Sequence, residues 1–285
     1  MSVALEILEI GVGASLQDAG RPGWKRFGLP AAGPMDRESA RLANVLVGNA
    51  PGQAVVEVLF GRVRLRACRE VTLGVTGAEV AASHPLWRSF SLAAGEVLEL
   101  GPPRRGLWSY VAVAGGFEGA VYFGSVSRHR RADLGTALEA GGSLSVGISL
   151  GRSAIAGSFV PEAVRPPLGN PPPLRFWTGP EWGRLSAEMQ AQLLSAEWTV
   201  SPQSDRMGYR LEGPALKDGY EEILSGPVTV GTIQLPPSGQ PIVLMRDGPT
   251  VGGYPRIGVI DDASVSIFSQ CAPGQAIRFQ RADGY

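Results

Sequence analysis

The residues best suited to chemistry stand in four stretches framed by glycine and proline, where loops can hold side chains at a rigid rim. In SLQDAGRPGWKRFGLPAAGPMD the candidates are Gln17, Asp18, Arg21 and Asp36, and a competing reading pairs Asp18 with Arg21 merely to fix the turn. SPQSDRMGYRLEG gathers Ser204, Asp205, Arg206 and Arg210 around Gly208. Two guanidinium groups there could clamp a carboxylate or phosphoryl group, against a plain Asp205–Arg206 surface turn. DGPTVGGYPRIG carries Gly252 and Gly253, which tolerate positive φ and could aim backbone amides at an oxyanion; a tight hairpin is the rival. GTIQLPPSGQPIVL supplies Gln234 and Gln240, uncharged amides suited to hydrogen-bonding an amide or lactam.

Other chemistries lack their residues. There is no G-x-x-x-x-G-K-[ST] phosphate loop and no G-x-S-x-G elbow, and the G-x-G at Gly11 lacks the third glycine and following helix of a dinucleotide site. His84 and His129 are the only histidines and do not pair at metal-ligand spacing, so no metal is expected. Cys68 and Cys271 form no C-x-x-C unit and read as buried free thiols. Lys25 and Lys217 are the only lysines among 26 basic residues, which argues against lysine-based covalent chemistry. The 26 acidic residues balance those charges, so no net field draws nucleic acid or an anionic membrane. The opening MSVALEILEI lacks the basic flank and apolar block of a signal peptide, and no run approaches the roughly 18 apolar residues of a membrane helix. A reducing cytoplasm is the expected setting.

The elements that must position these loops are mostly strands. With 39 Gly and 23 Pro spread along the chain, many short strands joined by tight turns are expected and long helices are not. Strands are predicted at 3–10, several within 55–80, and at 96–100, 108–114, 144–148, 174–178, 242–245, 257–260 and 276–280. AAGEVLEL, AGGSLSVG and APGQAIRF repeat one pattern, a small-residue turn with glycine feeding an alternating strand, which suggests barrels. Helices are predicted at 36–47, capped by Asp36 with an apolar face of Leu42, Ala43, Val45 and Leu46 and a stop at Gly48, at 186–195 capped by Ser186, and near 263–270. RPPLGNPPPL, with five prolines in ten residues, reads as a linker and divides the chain into domains 1–164 and 165–285.

Taken together, QDAGRPG, GPMDRESARLANVLVGN, SPQSDRMGYRLEGP, GTIQLPPSGQPIVLM and TVGGYPRIG resemble the family of 5-oxoprolinase C subunits, also called the biotin-dependent carboxyltransferase family. Its relatives include the carboxyltransferase region of urea amidolyase, a domain known as allophanate hydrolase subunit 2, and an antagonist of a sporulation-kinase inhibitor. The resemblance implies a mainly β fold of two cyclophilin-like β-barrel domains with a few short helices. It implies a soluble complex with A and B subunits that opens 5-oxoproline to glutamate while hydrolysing ATP, with Mg. It places family motif positions at Gln17, Asp18, Gly20 and Arg21, at Gly33, Met35, Asp36, Asn44 and Asn49, and at Ser204, Arg206, Met207, Gly208, Arg210, Gln234, Gly252, Gly253, Tyr254 and Pro255.

On that resemblance, Arg206 and Arg210 are expected to offset negative charge, amides near Gly252–Gly253 to steady a tetrahedral intermediate, and Asp18 or Asp36 to act as base. Gln17, Arg21, Met35, Asn44, Ser204, Gln234, Gly252, Gly253 and Tyr254 are expected to bind substrate, with SDRMGYR and GGYP at a common pocket. Where relatives continue with a G-S-R-S-T segment and a glycine-rich loop, this chain reads VYFGSVSRHRRADLGTALEAGG, which implies an altered pocket or substrate. Two alternatives accompany this reading. One is carboxyl transfer to urea or a related amide, using biotin on a separate carrier because no A-M-K-M attachment sequence is present; the other is a regulatory module that binds a kinase-inhibiting partner.

Overall fold

The computed structural model describes residues 2–11, 13–147, 156–217 and 223–282. The fold is mainly β, with 37% strand against 14% helix, and each of its two large sheets is curled and barrel-like. The chain forms two compact units: unit 1 is residues 1–21 and 32–168, and unit 2 is residues 22–31 and 169–285. Pro22–Ala31 thus leaves the first half of the chain to join the second unit, an excursion that a single cut at the proline-rich stretch does not contain.

Unit 1 holds β1 (Ser2–Ile10), β2 (Ser15–Gln17), α1 (Arg37–Leu46), β3 (Val55–Leu59), β4 (Val63–Ala67), β5 (Val71–Ala82), β6 (Ser89–Leu92), β7 (Val97–Val113) and β8 (Ser143–Val146). The sheet runs β2-β3-β7-β4-β1-β8, with β5 pairing β7 and β6, all antiparallel. The strands expected at 96–100 and 108–114 are one element, β7, whose first part pairs β4 and whose second part pairs β3 and β5. Strict alternation on β4 sends Val63, Leu65 and Ala67 inward against Leu5, Ile7, Leu98 and Leu100, while Arg64 and Arg66 face water and pair with Glu99 and Glu6.

Helix α1 begins where expected, with the Asp36 carboxylate accepting from the Ser39 amide, and ends just before Gly48 at φ 73°. Its buried face is Leu42, Ala43 and Leu46; Val45, expected there, lies about 60° beyond Leu42 around the helix and is exposed. The helix lies close on β5 because Gly74 has no side chain: a Cβ there would come 3.1 Å from both the Ala43 carbonyl and the Leu46 Cβ.

Unit 2 holds β9 (Leu174–Thr178), α2 (Ala187–Ser195), β10 (Trp198–Val200), β11 (Gly208–Glu212), β12 (Gly226–Pro227), β13 (Thr232–Gln234), β14 (Ile242–Leu244), β15 (Val251–Gly252), β16 (Arg256–Ile260), α3 (Asp262–Ser269), β17 (Ala276–Ile277) and β18 (Phe279–Arg281). The main sheet runs β17-β10-β11-β14-β13-β16-β9-β18, and only the β18–β9 pair is parallel. β12 and β15 form a separate two-stranded ribbon. Ser186 caps α2 as read, and Asp261 caps α3.

The repeated turn pattern is structural. Gly95, Gly141 and Gly274 all adopt positive φ, at 88°, 82° and 85°. In the first and third copies the following acid or amide closes the turn: Glu96 accepts from the Ala93 amide and Gln275 from the Ala272 amide.

Candidate functional site

In unit 1 Gln17, Asp18 and Arg21 converge on one task, holding the segment 122–128. Asp18 accepts from the Ser125 hydroxyl at 2.5 Å, the Ser127 hydroxyl at 2.6 Å, and the amides of Gly20 and Val126 at 2.9 Å each. A carboxylate offers about four acceptor sites, so this one is filled. Arg21, buried, donates to the carbonyls of Tyr122 and Ser127. Gln17, also buried, donates to the Arg128 carbonyl and to Ser15, and accepts from the Gly33 amide. The segment so gripped turns tightly at Phe123 and Gly124, both at positive φ, and presents Val121, Tyr122 and Phe123 to solvent. It falls within the stretch whose sequence departs from the family pattern. Asp18 and Arg21, which a competing reading paired with each other, instead both bind a segment about a hundred positions away.

Asp36 is likewise a structural acid. It is buried, caps α1 through both the Ser39 amide and hydroxyl, and donates its own amide to the Tyr110 hydroxyl at 2.8 Å. Tyr110 in turn donates to Glu57, which also accepts from the Met35 amide at 2.7 Å. Burial, with Glu57 and Asp36 close by, pushes the Tyr110 phenol well above its ordinary value, so it remains a donor. Met35 itself is core. Asn44 spends its amide on the carbonyls of Pro51 and Gln53 and accepts from Asn49, pinning the loop after α1. Asp36, Met35 and Asn44 thus all make contacts inside the unit.

In unit 2 the SDRMG stretch is a hairpin turn. Asp205 accepts from the amides of Met207 and Gly208, and Ser204 accepts from the Arg210 amide. The Arg206 fork is occupied by Asp247, with Nε and Nη2 at 2.8 and 2.9 Å from its two carboxylate oxygens, and the pair is largely buried. Arg206 is thus a fastener between the turn and residue 247 rather than an open anion clamp. Arg210 differs: Tyr209 and Leu211 point inward on β11, so Arg210 points outward, is exposed, and makes no side-chain hydrogen bond or ion pair with the described residues. Ser204 holds the turn and is not presented as a ligand group.

The Gly252 region corrects a second expectation. Neither Gly252 nor Gly253 has positive φ, so no backbone twist demands glycine there. What demands it at 252 is Gln234: a Cβ would overlap the Gln234 Nε2, and Val228 Cγ1 would lie at 3.5 Å. At 253 a Cβ would meet Ser225 Oγ at 3.3 Å. Gln234 is buried on β13, and its Nε2 has no hydrogen-bond partner among the described residues. Its register neighbour Arg256 is held bidentately by Glu181 at 2.7 and 2.9 Å. Hydrogen bonding from Arg256 holds the Glu181 carboxyl below its ordinary value, and the reciprocal bond raises Arg256. Tyr254 is half-exposed beyond the ribbon. Asp247, five residues before Gly252, binds Arg206 of the SDRMGYR stretch.

The remaining reactive types are committed locally. His84 stacks on Phe90 and bonds Ser83, and His129 accepts the Ala132 amide. Cys271 is buried, which pushes its thiol up to about 12, whereas Cys68 is exposed, contrary to its expected burial. Gln240 forms a paired amide contact with the Gly213 backbone. Sequence reasoning missed Ser127, Glu57, Tyr110, Asp247 and Glu181. Glu57, flanked by valines in VVEVL, carried the one visible signal, an acid on a strand whose neighbours on both faces are apolar.

Residues 27–281 match the carboxyltransferase domain family, subdomains A and B, and the chain belongs to that family. Within it, the chain is 34% identical to the 5-oxoprolinase C subunit of Haemophilus influenzae, covering 97% of this chain and 90% of that protein. It is 35% identical to the Escherichia coli protein of the same name, over 96% of this chain and 90% of the relative. Urea amidolyase of Lachancea kluyveri is 29% identical over 97% of this chain, which amounts to 17% of that enzyme. The solved structure of TTHA0988 superposes with a TM-score of 0.88 at 34% identity, across 98% of this chain and 55% of that one. Kluyveromyces lactis urea amidolyase superposes with a TM-score of 0.92 at 25% identity, across 99% of this chain and 19% of that one. The chain therefore spans nine-tenths of the 5-oxoprolinase relatives, about half of the TTHA0988 chain, and under a fifth of these urea amidolyases.

Proposed function

We propose that this chain is the C subunit of an ATP-dependent 5-oxoprolinase, a cytoplasmic assembly with A and B subunits that opens 5-oxoproline to L-glutamate. The observation that carries this reading is end-to-end likeness: the 5-oxoprolinase C subunits of Haemophilus influenzae and Escherichia coli are matched over 90% of their own length. Opening a lactam forfeits amide resonance, which is why coupling to ATP makes chemical sense. Among the described residues no three His, Cys, Asp or Glu gather to hold a metal ion, and the sequence has no phosphate loop. In this reading a partner subunit holds the nucleotide.

What this chain contributes, in this reading, is substrate recognition by unit 2. Arg210 offers an uncommitted guanidinium to the substrate carboxylate, with Tyr254 and the Gly252–Gly253 stretch bordering the ligand. Gln17, Asp18, Arg21, Asp36 and Asn44 act as positioning residues. Mixing the three subunits with 5-oxoproline and ATP should yield glutamate only when this chain is present; a complete mixture without ring opening would overturn the reading. Arg210→Ala should raise KM for 5-oxoproline about 10-fold with the fold intact, as expected for one charge-assisted contact. The likeness to proteins named urea amidolyase and urea carboxylase over 97% of this chain supports a second reading, carboxyl transfer with biotin on a separate carrier. Deleting the gene separates the two: the first predicts lost growth on 5-oxoproline, the second lost growth on urea.

A further inference from the structure

Buried polar atoms without a partner are rare in folded proteins, and each calls for an explanation. Among the described residues they include atoms of Ser109, Glu118, His129 and Gln234. Gln234 stands apart because of what lies over it. The ribbon β12–β15 pairs Gly226 with Gly252, and each glycine sits on one side chain of the main sheet. Gly252 sits on the Gln234 amide, and at Gly226 a Cβ would come 2.9 Å from Arg256 Nη1. Gln234 and Arg256 are themselves register partners across β13 and β16. A side chain on either glycine would displace the Gln234 amide or the Arg256 guanidinium, or lift the ribbon from this polar pair.

The ribbon is short. It consists of two residue pairs, one of its members is Pro227, which has no N–H to give, and Val251 is 59% exposed. Arg256 Nη1 ties it to the sheet through the Pro227 carbonyl at 3.1 Å, and the Val228 amide extends the ribbon's own pairing to the Thr250 carbonyl at 3.1 Å. The charge beneath it is already balanced, because Glu181 takes the Arg256 fork in two bonds. What remains on offer is a neutral donor in a neutral setting. An anion entering there would be desolvated with no net charge to meet it, whereas a carbonyl oxygen would supply the acceptor that Gln234 lacks.

We propose that Gln234 Nε2 is a ligand donor that reads the carbonyl oxygen of an uncharged amide or lactam, reached when the β12–β15 ribbon lifts from its Gly226–Gly252 seat. The inference rests on the oxoprolinase reading for its natural ligand, the lactam carbonyl of 5-oxoproline. In that complex it separates two tasks: Gln234 meets the ring carbonyl, and the carboxylate is met elsewhere.

The test uses the full chain and a bare lactam, 2-pyrrolidinone, with acetate and inorganic phosphate as anionic controls. The side-chain amide signals of Gln234 are identified in a ¹⁵N–¹H spectrum by their loss in Gln234→Leu, or in Gln234→Met should the first variant fold poorly. The expected result is a saturable shift of those signals with 2-pyrrolidinone and none with acetate or phosphate. A shift with the anions alone, or with none of the three, overturns the inference. In the assembled enzyme Gln234→Leu should raise KM for 5-oxoproline about 10-fold while leaving the melting temperature unchanged or higher, because an apolar isostere removes a donor that had no partner. A lowered melting temperature with unchanged KM would make Gln234 structural and overturn it. If 2-pyrrolidinone shifts the signals but the three-subunit mixture opens no 5-oxoproline, the proposed function fails and the carbonyl site stands.

Discussion

The two units use the same vocabulary of Gln, Asp and Arg set among glycines, and spend it differently. In unit 1, Asp18 fills its acceptor sites with Ser125, Ser127, Gly20 and Val126, and Gln17 and Arg21 grip the same segment. In unit 2, Arg206 is closed off by Asp247, but Arg210 is uncommitted and the Gln234 amide has a glycine above it in place of an acceptor. The lesson is that a motif residue's type does not reveal its work; whether its hydrogen-bonding capacity is already used does. Polar groups consumed inside a unit stabilise it, and those left over are available to a ligand.

Breaking the comparison is most direct at the Arg206–Asp247 pair. Arg206→Ala would strand a largely buried carboxylate and should lower unfolding stability by about 3–5 kcal/mol, read by urea denaturation. A loss of turnover without that destabilisation would return Arg206 to the ligand side of the comparison.

Next in size, Asp18→Asn puts an amide hydrogen against donors from Ser125, Ser127, Gly20 or Val126 and should cost about 2–3 kcal/mol, as for hydrogen bonds to a charged acceptor. Limited proteolysis should then cut at 121–124 faster than in the wild-type chain. An uncut, fully stable Asp18→Asn variant would mean the clamp is incidental.

The Glu181–Arg256 pair sharpens the comparison by pH. Because the folded Glu181 carboxyl lies below its unfolded value, the unfolded chain binds the proton first as pH falls. The pair's stabilisation is whole above about pH 5 and is lost as pH drops through the lowered folded value. Glu181→Gln should therefore destabilise by about 2 kcal/mol at pH 7, with the gap from wild type closing as the pH falls through the lowered folded value. A gap that stays constant down to acid unfolding would show that the cost is packing rather than charge.

A smaller effect concerns Gly252. Gly252→Ala should destabilise by about 1–2 kcal/mol through the clash with Gln234, and the loss should largely disappear in a Gln234→Ala background. Additive losses would sever the link between the two positions. Smallest of all, a thiol reagent at pH 8 should label Cys68 rapidly and Cys271 only on unfolding, since burial keeps Cys271 protonated.

The amino-acid sequence by itself determined the mainly β class, the caps at Asp36 and Ser186, and the three glycine turns at 95, 141 and 274, because these depend on neighbours within a few residues. It also marked the motif positions. Only the tertiary structure decided which of them hold the fold together. Asp18 meets Ser125 and Ser127 across 107 and 109 positions and Arg206 meets Asp247 across 41, and a hydrogen-bond partner that distant leaves no trace in local pattern. The same holds for Gln234, whose significance lies in an absent partner and in a glycine on a neighbouring ribbon, features that exist only once the strands are laid side by side.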